Sequence, residues 1–238
     1  MTVLQDKVVI ITGAVGNLGQ AVAERMVRDG WKTVLVDRSK DRLRATFGKL
    51  PDPTRYWLAD GVDMTAAEAV NIMVADAYKR FGRIDGLVNT VGGFRGGRPV
   101  HETDPGEWDF LYDINVRTTL NACRATIPYM LGARQGKIVN VASRAAFQGS
   151  ANYSAYAAAK TAVLRVTESM AGELKAHGLS VNCVVPGTID TPQNRAAMPT
   201  ADFSTWVQPA DLAGVIAFLL SDDARSVCGA AIPVFGRG

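Results

Sequence analysis

The chain contains few of the residues that define several classes of protein. Its 238 residues include only two histidines and three cysteines, Cys123, Cys183 and Cys228. An odd number of widely spaced cysteines in apolar surroundings favours buried thiols of a reducing compartment over a disulfide framework or a metal site. Residues 1–7 include an acidic residue and no apolar core, so we expect no signal peptide and a cytoplasmic protein.

The chain also has little net charge and no long apolar run. The formal net charge is +3, with no basic run and no interleaving of basic and aromatic residues, so we expect no binding to nucleic acid. The longest apolar runs, at 8–11 and 215–220, are far too short for a membrane span. The composition, 47% hydrophobic and 21% charged, is ordinary for a globular protein, and we expect one domain over 1–238.

Short β-branched segments alternate with helical patterns along the whole chain. Seven segments, nearly continuous in Val, Ile or Leu, predict strands at 7–12, 32–36, 55–59, 86–89, 137–141, 180–185 and 230–234. Six intervening segments predict helices at 18–28, 41–47, 66–81, 105–130, 151–177 and 209–220. This alternation predicts a Rossmann-like α/β fold, a doubly wound parallel sheet of about seven strands with helices on both faces. Ligands of such sheets bind beyond the carboxyl ends of the strands.

Two of the predicted helices carry start signals. Thr65 and Glu68 have the spacing of a capping box. Asp104 followed by Pro105, with Glu107 in the first turn, predicts an N-cap, a proline at N1 and an acid at N3.

The first predicted strand ends in a glycine-rich turn that opens a helix. Gly13, Gly16 and Gly19 allow a tight turn and a close approach of the backbone, so a pyrophosphate can sit on the helix N-terminus. The second strand ends at Asp37, which can accept hydrogen bonds from adenosine ribose hydroxyls and would repel a 2′-phosphate. Arg38 could instead pair with such a phosphate. The sequence thus favours NAD(H) and leaves NADP(H) possible.

Tyr156 and Lys160 are spaced so that they share one face of a predicted helix. A neighbouring ammonium lowers the pKa of a phenol and brings it towards the working range of a general acid or base. Ser143, after the fifth strand, could hold a carbonyl oxygen while the proton moves. Tyr153 has no lysine four residues later. The Tyr–Lys spacing alone also fits an exposed amphipathic turn, so its meaning depends on the surrounding chain.

In order and spacing these segments resemble the classical short-chain dehydrogenase/reductase family over essentially the whole chain. The family's first motif is T-G-x-x-x-G-x-G, which Thr12, Gly13 and Gly19 match. Asn17 stands at the middle glycine, with Gly16 one position earlier. Because asparagine tolerates left-handed backbone, we expect the turn to be kept.

Three further segments resemble family motifs. Residues 63–65 resemble D-[V/L]-T, whose acid contacts adenine, with Asp60 as a weaker candidate for that role. Residues 89–92 stand in place of N-N-A-G, and residues 186–191 match P-G-x-[I/V]-x-T. By resemblance, the Ile189 backbone and Thr191 hold the nicotinamide carboxamide. The cofactor contacts that the motifs and the resemblance imply are Gly13, Gly16, Asn17, Leu18, Gly19, Asp37, Arg38, Asp63, Met64, Asn89, Gly92, Tyr156, Lys160, Pro186, Ile189 and Thr191.

The resemblance also implies a catalytic set of four residues. Tyr156 exchanges the proton on the substrate oxygen, Ser143 orients that oxygen, and Lys160 lowers the tyrosine pKa and binds the nicotinamide ribose. Asn115 matches the fourth position, where a local helix distortion lets it hold a water that relays protons to the lysine. The alternative for Asn115 is a hydrogen bond between helices. We expect no metal.

The activity implied is NAD(P)(H)-dependent interconversion of a secondary alcohol and a ketone, similar to a carbonyl reductase or 3-oxoacyl reductase. Its partner would be a small carbonyl or alcohol substrate. A homotetramer or homodimer built by the helices at 105–130 and 151–177 and by the last strand is also implied. The alternative from another class is a non-catalytic dinucleotide-binding regulator on the same fold.

The substrate side is less defined. A short lid at about 191–208 predicts an open pocket, which Phe94, Phe147, Met198 and Trp206 could line, although each could equally pack in the core. Four loop arginines, Arg95, Arg98, Arg144 and Arg195, fall near the predicted rim. They favour a substrate bearing a carboxylate or phosphate, or are simply solvated. The glycine-rich loop at 92–97 is predicted to be flexible and resembles that of dihydropteridine reductases, which makes a pterin-like or quinonoid substrate an alternative.

Overall fold

A computed structural model describes residues 6–237 of the protein. Residues 1–5, which hold most of the segment on which the absence of a signal peptide is predicted, lie outside the described residues, as does residue 238.

Seven parallel strands form one sheet, as predicted. They are β1 (Val8–Thr12), β2 (Lys32–Asp37), β3 (Tyr56–Asp60), β4 (Gly86–Asn89), β5 (Gly136–Val141), β6 (Leu179–Pro186) and β7 (Ala231–Val234). Their order across the sheet is β3-β2-β1-β4-β5-β6-β7, and each neighbouring pair is parallel. The order reverses direction between β1 and β4, which is where a doubly wound sheet opens a ligand crevice.

Eight α-helices accompany the sheet within residues 6–237. They are α1 (Asn17–Arg28), α2 (Lys40–Phe47), α3 (Ala67–Phe81), α4 (Pro105–Tyr112), α5 (Thr118–Ala133), α6 (Ser154–Leu174), α7 (Pro192–Ala197) and α8 (Pro209–Leu220). The predicted helix at 105–130 is two helices joined by a π-helical segment, Asp113–Arg117. The predicted helix at 151–177 starts at Ser154 and ends in a 3-10 turn, Lys175–His177. Helix α7 lies in the predicted lid and was not anticipated.

Successive residues of the central strand pack on opposite faces of the sheet. Val9 and Ile11 belong to one buried cluster with residues of α1 and α8. Val8 and Ile10 belong to a second cluster with residues of α3, α5 and α6. The sheet is therefore buried on both faces at its centre, which explains why β1 is continuously apolar from Val8 to Ile11. No helix within residues 6–237 is long and apolar enough to cross a membrane.

Two local predictions proved wrong. Helix α3 starts at Ala67 with Ala66 as its N-cap, because the Thr65 backbone and hydroxyl both donate to Asp63 Oδ1, at 2.9 and 2.7 Å, in a turn that precedes the helix. The predicted capping box is thus absent. Cys228 is exposed, whereas Cys123 and Cys183 are buried as predicted. The N-cap at Asp104 is confirmed, since its carboxylate accepts from the Gly106 amide at 2.7 Å.

Candidate active site

A cavity of about 750 Å³ opens at the carboxyl ends of the central strands. It brings together Ser143, Tyr156 and Lys160, which come from the end of β5 and from α6. The ends of β4 and β6 supply much of the remaining wall. Of the predicted site residues, the cavity is lined by Leu18, Gly92, Phe94, Ser143, Arg144, Tyr156, Lys160, Pro186, Ile189 and Met198.

The turn between β1 and α1 is built on glycine. Gly13 has a φ of +66°, the left-handed region that favours glycine. A Cβ on Gly19 would lie 2.1 Å from the Gly13 carbonyl oxygen, so helix α1 can start this close to the strand only with glycine there. Gly16 caps α1, whose first turn has no acidic residue. Free amides and the helix dipole therefore make this end suited to a pyrophosphate.

Asn17 differs from the expectation in its backbone conformation. It is the first residue of α1 and does not adopt left-handed backbone, which in this turn falls on Gly13 alone. Its side chain instead reaches the lid, where Asn17 Nδ2 donates to Gln193 Oε1 at 2.9 Å. Asn17 thus connects the glycine turn to α7 across the mouth of the site.

Thr90 departs from the family motif N-N-A-G, since it stands where that motif has its second asparagine. Its hydroxyl donates to the Thr12 carbonyl oxygen at 2.6 Å, and the residue lines the cavity. The end of β4 is thereby tied to the end of β1. A hydroxyl residue in place of that asparagine is the one sequence signal of this contact.

The residues predicted for the adenosine end lie at the carboxyl ends of β2 and β3 and in the loop that follows β3. Asp37 and Asp60 are opposite each other in the strand register. Asp37 accepts from the Ser39 amide at 2.9 Å. Hydrogen bonds from Thr65, and more weakly the charge of Arg38, lower the pKa of Asp63. Three carboxylates and an exposed arginine therefore share this rim.

Two neighbours of this rim escaped the sequence analysis. Arg42 Nη2 donates to the Val15 carbonyl oxygen of the glycine turn at 3.0 Å. Asn121 Nδ2 donates to the Met64 carbonyl oxygen at 2.9 Å and so fixes the loop that carries Asp63. Both are long-range contacts with no local sequence signal.

Asn89, predicted to bind the cofactor, has its side chain in the protein core. Asn89 Nδ2 donates to Asn140 Oδ1 at 2.9 Å, and Asn140 Nδ2 donates to Thr167 Oγ1 at 2.8 Å. The Asn89 side chain is 3% exposed and does not line the cavity. Its side chain therefore holds β4 to β5 and, through Asn140, to α6.

Tyr156 and Lys160 share a face of α6, as predicted, but their electrostatics differ from the expectation. Lys160 Nζ lies 5.9 Å from the Tyr156 ring centroid and donates to the Val141 carbonyl oxygen at 3.0 Å. Burial raises the pKa of the Tyr156 phenol, and the Ser143 hydroxyl acts in the opposite direction. Burial also lowers the pKa of Lys160 to about 8. Burial is the larger of the two effects on Tyr156, so its pKa is raised and not lowered as expected.

Asn115 lies in the π-helical segment, the kind of distortion implied by the family resemblance. Its side chain is buried: Nδ2 donates to the Gly93 carbonyl oxygen at 3.0 Å and to the Leu111 carbonyl oxygen of α4 at 2.9 Å, and Oδ1 accepts from the Gly93 amide at 3.2 Å. A Cβ on Gly92 would lie 3.0 Å from Asn115 Oδ1 and 3.3 Å from Lys160 Nζ. Gly92 therefore lets these two polar groups approach the loop closely.

The lid follows β6 after residues 187–190. Ile189 lines the cavity, whereas the Thr191 hydroxyl caps α7 by accepting from the Asn194 amide at 3.1 Å and is absent from the wall. Asp190 accepts two bonds from Arg195, at 2.6 and 2.7 Å, and one from Gln208 at 2.9 Å. Hydrogen bonding to Arg195 and Gln208 lowers the pKa of Asp190 to about 2. The two ends of the lid are thus joined at its base.

The glycine-rich loop at 92–97 is anchored at both ends. Asn115 holds Gly93, and the Gly97 amide donates to the Asn152 carbonyl oxygen at 2.9 Å. Between these anchors Phe94 packs edge-to-face on Tyr156, with ring centroids 5.0 Å apart. Phe94 and Met198 line the cavity, whereas Phe147 and Trp206 pack on other aromatic rings.

The cavity and the glycine turn fit a nicotinamide dinucleotide. The turn supplies free amides at one end, Asp37 lies at the rim beyond β2, and Lys160 lies at the other end beside Gly92. No group of three or more His, Cys, Asp or Glu residues that could hold a metal ion occurs within residues 6–237.

Comparisons with known proteins agree with this geometry. A family model described as short chain dehydrogenase matches residues 7–202. The chain is 32% identical to 2-(S)-hydroxypropyl-CoM dehydrogenase 3 of Xanthobacter autotrophicus, over 98% of this chain and 96% of that protein. The crystal structure of levodione reductase superposes with a TM-score of 0.90 at 31% identity, over 98% of this chain and 97% of that one. ElxO with NADP bound has the same fold, with a TM-score of 0.90 at 24% identity, covering 98% of both chains.

Proposed function

Because the chain belongs to the short chain dehydrogenase family, and is thus an oxidoreductase that acts on CH–OH groups with a nicotinamide dinucleotide, we propose that it interconverts a secondary alcohol and a ketone. The observation that carries the proposal is the meeting of Ser143, Tyr156 and Lys160 in one cavity beside the glycine turn. A carbonyl reductase of the 3-oxoacyl-reductase kind is the nearest description of this activity.

When bound, the dinucleotide supplies a hydride to the carbonyl carbon or accepts one from the alcohol carbon. Tyr156 donates a proton to the carbonyl oxygen in reduction and takes it back in oxidation. Ser143 donates a hydrogen bond to that oxygen and fixes its position. Burial keeps the Tyr156 pKa high, so the phenol holds its proton at neutral pH and is ready to donate it.

Lys160 has two functions in this proposal. Its ammonium binds the nicotinamide ribose and passes protons between solvent and Tyr156. With a pKa of about 8, Lys160 can release and regain a proton close to neutral pH. Asn115 supports the same route by holding Gly92 and Gly93 beside the ammonium. Its family role, holding a relay water, is part of the proposal.

We propose NAD(H) as the preferred cofactor. Asp37 ends β2, where its carboxylate can bind the adenosine ribose hydroxyls and repel a 2′-phosphate. Arg38 and Arg42 lie nearby and would moderate that repulsion, so NADP(H) remains the second substrate to test. The Ile189 backbone lies where the carboxamide end is proposed, whereas the Thr191 side chain is engaged in capping α7.

Oligomeric state and location stay predictions. The family implies a homotetramer or homodimer, and two exposed apolar side chains in the region 105–130 that would help to build it, Tyr112 and Leu120, are compatible with that. Light scattering of the purified protein at several concentrations measures the state directly.

Measuring turnover of ketones and secondary alcohols tests the proposal. The purified protein should oxidise NADH or reduce NAD⁺ with members of a panel of ketones and secondary alcohols, and should do so less well with NADPH or NADP⁺. Dinucleotide binding without turnover of any panel member would support the alternative, a non-catalytic dinucleotide-binding regulator. A pterin panel run beside it tests the dihydropteridine reductase alternative.

A further inference from the structure

The four arginines predicted near the rim have different environments in the structure. Arg195 is held by Asp190 through two hydrogen bonds of 2.6 and 2.7 Å. The Arg95 guanidinium stacks 3.6 Å from the Phe110 ring centroid. Arg98 is exposed and does not line the cavity. Arg144 is the one of the four that lines the wall.

Arg144 lies beside the proposed reaction centre. It follows Ser143 directly and starts the 3-10 turn Arg144–Ala146, so its Cα is about 3.8 Å from that of Ser143. Within residues 6–237, no carboxylate lies within ion-pairing distance of its guanidinium. Its recorded neighbour is the Phe235 ring, whose centroid is 5.8 Å from the guanidinium carbon. Its hydrogen-bonding fork is therefore available to a ligand.

The charge of the cavity wall is positive. Arg144 and Lys160 are its two cationic side chains, and no aspartate or glutamate of the described residues belongs to the wall. Lys160 is buried and turned towards the Val141 carbonyl oxygen. Gln148, Ser150 and Asn194 add neutral polar groups. A cleft with cations and no carboxylates concentrates anions, and an arginine fork matches a carboxylate in particular.

We propose that the substrate carries an anionic group a few carbons from its carbonyl, and that Arg144 binds this group while Ser143 and Tyr156 hold the carbonyl oxygen. The substrates are then oxo acids and the corresponding hydroxy acids. This inference rests on the proposed oxidoreductase function and names the substrate class of the same site.

Matched pairs of probes test the inference. The pairs are 3-oxobutanoate, 4-oxopentanoate and 5-oxohexanoate, each against its methyl ester, assayed with NADH and with NADPH. We expect the acid to exceed its ester in kcat/KM at one chain length at least, by about 10- to 100-fold, as a charge-assisted bidentate bond implies. The preference should shrink as ionic strength rises.

Variants assign the preference to Arg144. Arg144→Gln should abolish this preference chiefly through a higher KM for the acid, with a much smaller change for the ester, and Arg144→Lys should retain part of the preference. Arg98→Gln is the matched control, since it removes an exposed loop arginine outside the wall and should leave the preference intact. A wild type that reduces esters as well as acids at every length, or an Arg144→Gln variant that keeps the preference, overturns the inference alone. If no ketone or alcohol of any kind is turned over, the proposed function fails.

Discussion

Phe94 forms an aromatic wall over Tyr156, and its replacement by alanine tests how that wall shapes the site. The Phe94 ring meets Tyr156 edge-to-face at 5.0 Å and Tyr153 at 5.4 Å with a 44° tilt. Phe94 is nevertheless 61% exposed, so its removal opens the site without cutting into the core. Phe94→Ala should therefore alter Tyr156 and substrate binding more than it alters the fold.

The contacts set the size of the effect. An aromatic pair contributes about 0.5–1.5 kcal/mol beyond its buried area, and the high exposure of Phe94 puts both pairs at the low end, for a total of about 1 kcal/mol. For a chain of this length that corresponds to a Tm loss of about 2–4 °C. Since burial is the main cause of the raised Tyr156 pKa, opening the wall should bring that pKa down towards its ordinary value.

The pH dependence of alcohol oxidation measures this change. Oxidation needs the phenol to have lost its proton, so a lower Tyr156 pKa moves the rising limb of kcat/KM to lower pH in Phe94→Ala. The KM for substrates with apolar groups should rise at the same time. Phe218→Ala, which removes a 43% exposed ring from α8, is the control and should change neither the position of the rising limb nor the KM. An unmoved limb in Phe94→Ala would refute the link between this ring and the protonation of Tyr156.

Three further predictions concern stability and cofactor binding. Asp85, which is 6% exposed, accepts four hydrogen bonds, from the Val8 amide, from Arg83 twice and from Gln135. Asp85→Ala should thus lower the free energy of unfolding by about 3 kcal/mol in urea denaturation, and an unchanged midpoint would contradict this. Asp37→Asn should lower the NADH-to-NADPH affinity ratio in fluorescence titrations by about ten-fold or more, because a repelling charge is removed; an unchanged ratio would mean that Asp37 does not select the cofactor. Asn17→Ala and Gln193→Ala should each weaken dinucleotide binding by about 2- to 10-fold, because each removes the 2.9 Å hydrogen bond between the two side chains. The double variant should then bind no more weakly than either single variant, whereas additive losses would show that the two residues act independently.

The strands and the position of the site were predictable from local sequence. Buried parallel strands have continuous apolar segments, and each predicted strand falls within one residue of its place in the structure. The glycine turn is equally local, because steric limits at Gly13 and Gly19 restrict the residue type directly. The spacing of Tyr156 and Lys160 fixed their common face on α6.

Contacts between distant segments were not predictable in this way. The direction of the Lys160 ammonium depends on the Val141 carbonyl of a neighbouring strand, and the burial of Asn89 depends on Asn140. The anchoring of the glycine-rich loop depends on Asn115, in a π-helical segment that a periodicity of 3.6 residues cannot reveal. The predicted capping box at Thr65 is absent for a local reason, since the Thr65 amide and hydroxyl both donate to the Asp63 carboxylate.

Replacing Tyr156 by phenylalanine tests the central proposal most directly, because only the phenolic oxygen is removed. With a ketone that the wild type reduces, turnover by Tyr156→Phe should fall by about 10²–10³ or more, while the dinucleotide Kd stays within about ten-fold. Tyr153→Phe, which removes a phenolic oxygen three residues earlier, should retain turnover. Undiminished turnover by Tyr156→Phe would contradict the role of this tyrosine as the proton donor.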